Sequence, residues 1–284
     1  LSDRQNEQRD LIAIGRGFDT WEPPEIDTSV PHSARMYDYW LGGKTHFAPD
    51  RALGEAIEQA IPDIKTMARE NRTFLGRAVR HLVREAGIRQ FLDIGTGIPT
   101  GGNTHEVAQA EAPGSRVVYV DNDPIVLAHA RALMVSGDQG ETAYIHADLR
   151  RPEAILAHPA LTGTLDLTEP VGLVLVAILM LLRDDEDPRG KVAALLAALP
   201  SGSHVVITHP TGDFAPEAMA AVAAKAAQGG MTIVPRTRAQ VEEFFAGWEL
   251  VEPGVAPVMA WRPDGEPPVD PHAAYYWAGV ARKP

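Results

Sequence analysis

The sequence predicts an α/β fold, a mostly parallel sheet of seven strands with an antiparallel edge, preceded by an N-terminal helical cap. Three observations predict it. Apolar residues recur at helical spacing before Gly87, short β-rich runs then alternate with helical stretches, and beyond residue 238 the alternation gives way to two late strands. With 284 residues, 45% of them hydrophobic and 23% charged, the chain has the composition of a globular protein able to bury a sizeable core.

Residues 1–31 show no sustained period, and Trp21-Glu22-Pro23-Pro24 and Val30-Pro31 remove backbone donors, so an irregular arm is expected. Residues 32–84 read as the helical cap. Its first helix runs from Ser33 to Leu41 and stops at Gly42-Gly43. Leu53, Ile57, Ala60 and Ile61 mark a second, and Ile64, Met67, Ala68, Asn71, Leu75, Ala78, Leu82 and Val83 a third. Residues 85–284 carry the sheet, with parallel strands at 90–94, 116–121, 142–146, 171–176 and 204–208. Asn103 with Glu106 three residues on forms a capping pair, and Asp123-Pro124 caps the next helix, whose stripe is Val126, Ala130, Leu133 and Met134. A helix at 238–245 leads to strands at 249–261 and 274–281, which suit an antiparallel edge.

Composition excludes several function classes. Lys and Arg number 26 against 38 Asp and Glu, a net charge of −12 that repels a phosphate backbone and argues against nucleic acid as a partner. The absence of cysteine excludes disulfides, thiol nucleophiles, thiolate zinc sites and Cys-ligated iron–sulfur clusters. The longest apolar run, 171–182, is 12 residues, short of the ~20 a membrane span needs. No membrane partner is expected. Residues 1–10 are polar rather than basic and then apolar, so no secretory signal is read and a cytoplasmic location is the expectation.

The chemistry concentrates in Phe91-Leu92-Asp93-Ile94-Gly95-Thr96-Gly97-Ile98-Pro99-Thr100. An apolar strand ends in an acid, two glycines allow a sharp turn and close approach to a ligand, and a helix opens soon after. An ordinary strand–helix turn could use the same glycines. Two later acids tip the balance. Asp121 closes the second strand 28 residues after Asp93, where a carboxylate can accept from both ribose hydroxyls of a nucleoside, and Asp148 follows the third strand, where it can accept from an exocyclic adenine amine. Capping explains Asp123, with Pro124 behind it, better than Asp121. Open α/β sheets place their ligand crevice at these strand ends.

In this order the glycine loop, ribose acid and adenine acid resemble the class I S-adenosylmethionine-dependent methyltransferases. More narrowly, Pro31-His32-Ser33-Ala34-Arg35-Met36-Tyr37-Asp38-Tyr39-Trp40-Leu41-Gly42-Gly43-Lys44, the Gly95 loop and Glu252-Pro253-Gly254 resemble an uncharacterised bacterial family of such enzymes, over most of the chain from about residue 31 to 281. The resemblance implies a Rossmann-like seven-stranded methyltransferase sheet and S-adenosylmethionine as cofactor. Asp93, Gly95, Thr96 and Gly97 would hold the amino-acid end of the cofactor, Asp121 the ribose and Asp148 the adenine amine, with Asn122 and Leu149 lining the adenosine. Lys44 or Arg35 would meet the cofactor carboxylate if the cap folds over the crevice. Thr100 stands where a third glycine is common, although Gly101 and Gly102 follow, and this weakens a nicotinamide oxidoreductase reading, which needs close pyrophosphate approach.

Several features remain between chemistry and packing. Val176-Ala177-Ile178-Leu179 lacks the polar residue, two prolines and aromatic that resembling nucleobase amino methyltransferases use, so DNA adenine methylation is not expected. His209, past the fifth strand, is the nearest base by topology, with a structural histidine as the alternative. Gly42-Gly43-Lys44-Thr45 follows a helix rather than a strand and reads as a helix stop rather than a phosphate loop. Tyr37, Tyr39, Trp40, Phe47, Tyr275, Tyr276 and Trp277 either line an acceptor pocket or pack in the core. Asp184-Asp185-Glu186-Asp187 reads as a solvated turn, and no metal is expected. The expected activity is methyl transfer to a small-molecule acceptor; the alternative is a non-catalytic S-adenosylmethionine-binding regulatory or interaction protein.

Overall fold

The computed structural model describes residues 27–133, 139–266 and 268–284. Residues 1–26 of the expected arm and Met134 of the predicted stripe lie outside the described residues, as does the side chain of Leu133.

Among the described residues three helices come first: α1 (Ser33–Trp40), α2 (Ala48–Glu58) and α3 (Ile64–Arg84). The sheet follows as β1 (Gln90–Ile94), α4 (Thr104–Glu111), β2 (Arg116–Asp121), α5 (Pro124–Leu133) and β3 (Glu141–His146). Two short helices, α6 (Pro152–Leu156) and α7 (Pro159–Thr164), lead to β4 (Gly172–Val176); α8 (Pro188–Ala197) leads to β5 (His204–Pro210). Then come α9 (Pro216–Gln228), α10 (Arg238–Glu242) continued by a 3₁₀ turn Glu243–Phe245, and the strands β6 (Glu249–Leu250), β7 (Ala256–Pro257) and β8 (Tyr276–Arg282).

The strand order is β3-β2-β1-β4-β5-β8-β6, with β1 to β5 parallel and β8 antiparallel to β5. Both β6 and β7 pair antiparallel with β8, so the seventh position of the sheet is one interrupted strand in two pieces. The strand expected at 249–261 is therefore shorter and broken. Pro253 has no amide to donate, the Gly254 amide turns back to Val251 O, and Gly254 takes φ +80°, a conformation no strand uses.

Strand periodicity divides the core into two layers. Phe91, Val117, Tyr119, Val174 and Val206 face α3, α4 and the cap, and Leu92, Ile94, Val118, Val120, Leu173, Val205 and Ile207 face α6 to α8 and α10. Asp93 and Asp121 share the parity of Phe91 and Tyr119, so both carboxyls emerge on the α3 face of the sheet, at its carboxyl edge. Arg77 of α3, buried, donates to Val258 O at 2.6 Å and Trp261 O at 3.1 Å, tying the cap to the segment after β7. Local signals hold where they were strong. Asn103 and Glu106 cap α4, and the Asp123 carboxylate accepts from Ile125 N at 2.9 Å to cap α5. Gly42, at φ +82°, follows the end of α1 as a helix stop.

Candidate functional site

A cleft opens at the carboxyl ends of β1 to β4. Its lining includes Gly95 after β1, Asp121 and Asn122 at the end of β2, and Ala147, Asp148, Leu149 and Arg150 after β3. The fourth wall is Ile178, Leu181 and Leu182, from the segment after β4. The structure thus brings together the residues expected along the adenosine, while Asp93, Thr96 and Gly97 lie beside this cleft rather than in its wall.

The loop after β1 owes its path to internal hydrogen bonds. Gly95 N and Thr96 N both donate to Val120 O, at 2.8 and 3.4 Å, and Gly97 N donates to Asp121 Oδ2 at 2.9 Å. Gly95 and Gly97 adopt φ +79° and +67°, which L side chains disfavour. At Gly95 space is a second constraint: a Cβ there would stand 2.6 Å from Ile178 Cδ1, so the Ile178 side chain occupies the room the glycine leaves. These three amides are engaged within the protein, which the sequence does not reveal.

Asp121 is buried and accepts twice, from Gly97 N on Oδ2 and from Asp123 N at 2.9 Å on Oδ1. Burial raises its pKa, and the two amides and the nearby His32 oppose the rise. A carboxylate offers about four lone-pair directions, so acceptor capacity remains on both oxygens. Asp148 accepts from Arg150 N at 2.8 Å, and the Arg150 guanidinium lies 3.4 Å from it. Asn122 Nδ2 lies 3.5 Å from Asp148 Oδ2, at the limit of hydrogen bonding. Arg150 also donates to Glu186 Oε1 at 2.6 Å and Leu181 O at 3.0 Å, linking the acid after β3 to the opposite wall.

Asp93 is buried on the α3 side, where Thr104 Oγ1 donates to Oδ2 at 2.6 Å. Burial pushes its pKa up to about 6, against the Thr104 hydrogen bond and the Arg72 charge. The N-terminus of α1 closes over this side. His32 Nδ1 lies 3.0 Å from Asp123 Oδ2, and Ala34 packs with Ile98 and Val126.

Other candidates fall out of the site. His209 is fully buried, with Nδ1 against Pro210 O at 2.9 Å and Nε2 against Arg236 Nη1 at 2.9 Å; burial lowers its pKa to about 3. It is a structural histidine, without a free nitrogen for an acceptor. Arg236, also buried, donates to Leu179 O, Leu182 O and Asp184 Oδ1, so it holds the fourth wall in place. Arg35 is engaged with Asp27 O, Val30 O and Asp50, and Lys44 is exposed. Tyr37 donates to Ala68 O and Trp40 to Gly54 O, and Trp277 Nε1 donates to Asp213, so these aromatics serve packing. Residues 184–187 pair with Arg236, Arg183 and Arg150 or cap α8; among the described residues no group of three acids or histidines is placed to hold a metal.

The residues that sequence reasoning missed are Arg150, Ile178, Leu181 and Leu182. Leu181 and Leu182 read only as part of an apolar run, and Ile178 only as part of a segment lacking an amino-methyltransferase motif. Their signal was position, since the segment after a central strand borders the crevice.

With this geometry in place, the chain can be set beside known proteins. The profile of a family described as S-adenosyl methyltransferase matches residues 19–284. A DUF574 family protein from Streptomyces avermitilis MA-4680 is 48% identical, with a TM-score of 0.88 over 92% of this chain and 100% of the other. A candidate methyltransferase from Thermobifida fusca YX is 41% identical, with a TM-score of 0.84 over 93% and 99%. Magnesium protoporphyrin IX methyltransferase from Synechocystis PCC 6803 with bound S-adenosylhomocysteine, 12% identical, aligns with a TM-score of 0.51 over 88% and 93%, a likeness of fold alone. No curated protein matches the chain in sequence.

Proposed function

Because the chain belongs to the S-adenosyl methyltransferase family, we propose that it is an enzyme that transfers a methyl group to a small-molecule acceptor. Its cofactor is S-adenosylmethionine. The observation that carries the reading is the cleft itself, where Gly95, Asp121, Asn122, Asp148 and Leu149 converge from three separate strand ends.

The residues fit the cofactor chemically. The spare lone pairs of Asp121 suit the two ribose hydroxyls, and Asp148, held by Arg150, suits the adenine amine. Leu149, Ile178 and Leu181 present apolar surface to the flat base. Asp93 Oδ1 carries no hydrogen bond from a described residue and suits the ammonium of the amino-acid end. The cofactor supplies an activated methyl carbon on a sulfonium, so the protein's task is to place the acceptor in line and exclude water. With His209 sealed, the imidazole at the end of β5 takes no proton from the acceptor, and the reading rests on orientation rather than base catalysis.

That same sealed histidine favours a second reading, a protein that binds the cofactor without turnover. Calorimetry with S-adenosylhomocysteine followed by methyl transfer from isotopically labelled cofactor separates the two. An enzyme labels at least one compound of a bacterial small-molecule extract; binding without labelling in such extracts supports the second reading. Folded protein that gives neither heat nor a thermal shift with S-adenosylhomocysteine overturns both.

A further inference from the structure

We propose that Arg72 receives the carboxylate of the cofactor's amino-acid end, forming with Asp93 a clamp of opposite charges for that zwitterion. The inference rests on the cofactor reading above and adds to it a residue on the helical cap.

Arg72 projects from α3, half-buried, and its Nη2 donates to Asn103 Oδ1 at 3.2 Å and reaches Gly101 O at 3.5 Å. Nε and Nη1 donate to no described atom, and among the described residues no carboxylate forms an ion pair with it. Its neighbours on α3 differ: Arg80 pairs with Asp264 and Arg84 with Glu111. Arg72 touches Asn103, and Asp93 is bonded to the next residue, Thr104, so the two opposite charges flank the start of α4. Strand parity puts Asp93 on the face that α3 covers. The Arg72 charge is felt at the Asp93 carboxyl, consistent with that placement.

A carboxylate at this edge needs donors, and the loop offers few. The amides of Gly95, Thr96, Gly97, Thr100, Gly102 and Asn103 all donate within the protein. Arg35 is engaged elsewhere. A guanidinium with free donors in a planar fork matches a carboxylate, and the start of α4 adds a favourable dipole.

The test measures S-adenosylhomocysteine and 5′-methylthioadenosine, which lacks the amino acid, against the wild type, Arg72→Gln and Arg72→Lys by calorimetry. Arg72→Gln should weaken S-adenosylhomocysteine about ten- to hundredfold, the range for a hydrogen bond between charged groups, and leave methylthioadenosine within about twofold. Arg72→Lys should recover part of the loss, and the wild-type advantage should shrink as salt rises. Equal weakening of both ligands would mean that Arg72 only supports the loop, and unchanged binding of S-adenosylhomocysteine would mean it has no part; either overturns the proposal. Wild-type protein that binds neither ligand overturns the cofactor reading instead, a distinct result.

Discussion

Asp121 accepts the Gly97 amide at 2.9 Å, so the last residue of β2 helps to shape the loop that follows β1. Its other oxygen accepts Asp123 N at the same distance. One carboxylate therefore organises two loops before any ligand arrives, and the acid proposed for the ribose is also part of the frame.

Asp121→Asn keeps one carbonyl oxygen and turns the other acceptor into a donor facing an amide. One of the two amides then loses its partner, which should lower stability by about 1–3 kcal/mol. Cofactor affinity should fall as well. Chemical denaturation and calorimetry with S-adenosylhomocysteine check the two losses separately, and an Asn variant as stable as the parent would contradict the framing role.

The two loop glycines should respond differently to alanine. Both stand at positive φ, but a Cβ at Gly97 meets nothing within 4 Å, whereas one at Gly95 overlaps Ile178. Gly97→Ala should cost about 1–2 kcal/mol from backbone conformation alone. Gly95→Ala should cost more, because Ile178 must move and the cleft wall with it. Paired urea denaturation curves decide the order, and equal costs would refute the packing argument.

Asp93 sets a pH dependence with a defined sign. The unfolded carboxyl titrates near its ordinary value of about 3.9, the folded one near 6. Between these values the folded chain keeps a proton the unfolded chain has lost, so this residue makes stability fall as pH rises through that window. A bound ammonium favours the ionised form and reverses the effect on the ligand. Affinity for S-adenosylhomocysteine should strengthen as pH rises through about 6, with proton release on binding. Calorimetry in buffers of different ionisation enthalpy measures that release, and Asp93→Asn should abolish it.

Arg236→Met should be strongly destabilising. It removes the donors to Leu179 O and Leu182 O and the partner of His209 Nε2. Two or three buried acceptors left unpaired correspond to roughly 2–5 kcal/mol. A thermal melt measures the loss. If the variant melts with the parent, the fourth wall is not held by this guanidinium.

The central strands were legible because each is a short, nearly continuous apolar run between turn signals; β1 and β2 match their expected spans residue for residue. The caps at Asn103 and Asp123 were legible because a cap is local, made within three residues. The edge was not. Whether 249–261 forms one strand depends on how a segment interrupted by Pro253 meets β8, which lies beyond any window of residues.

What the sequence determined by itself was the order of elements, the glycine loop and the two acids that follow at successive strand ends, all consequences of local residue pattern and residue type. The tertiary structure decided which polar groups remain available. It closed His209 between Pro210 and Arg236, engaged the amides of Gly95 to Gly97, and left Arg72 beside Asn103 with no ion-paired carboxylate among the described residues. The physical reason is that residue type sets how many hydrogen bonds a group can make, whereas the atoms that take them come from distant parts of the chain.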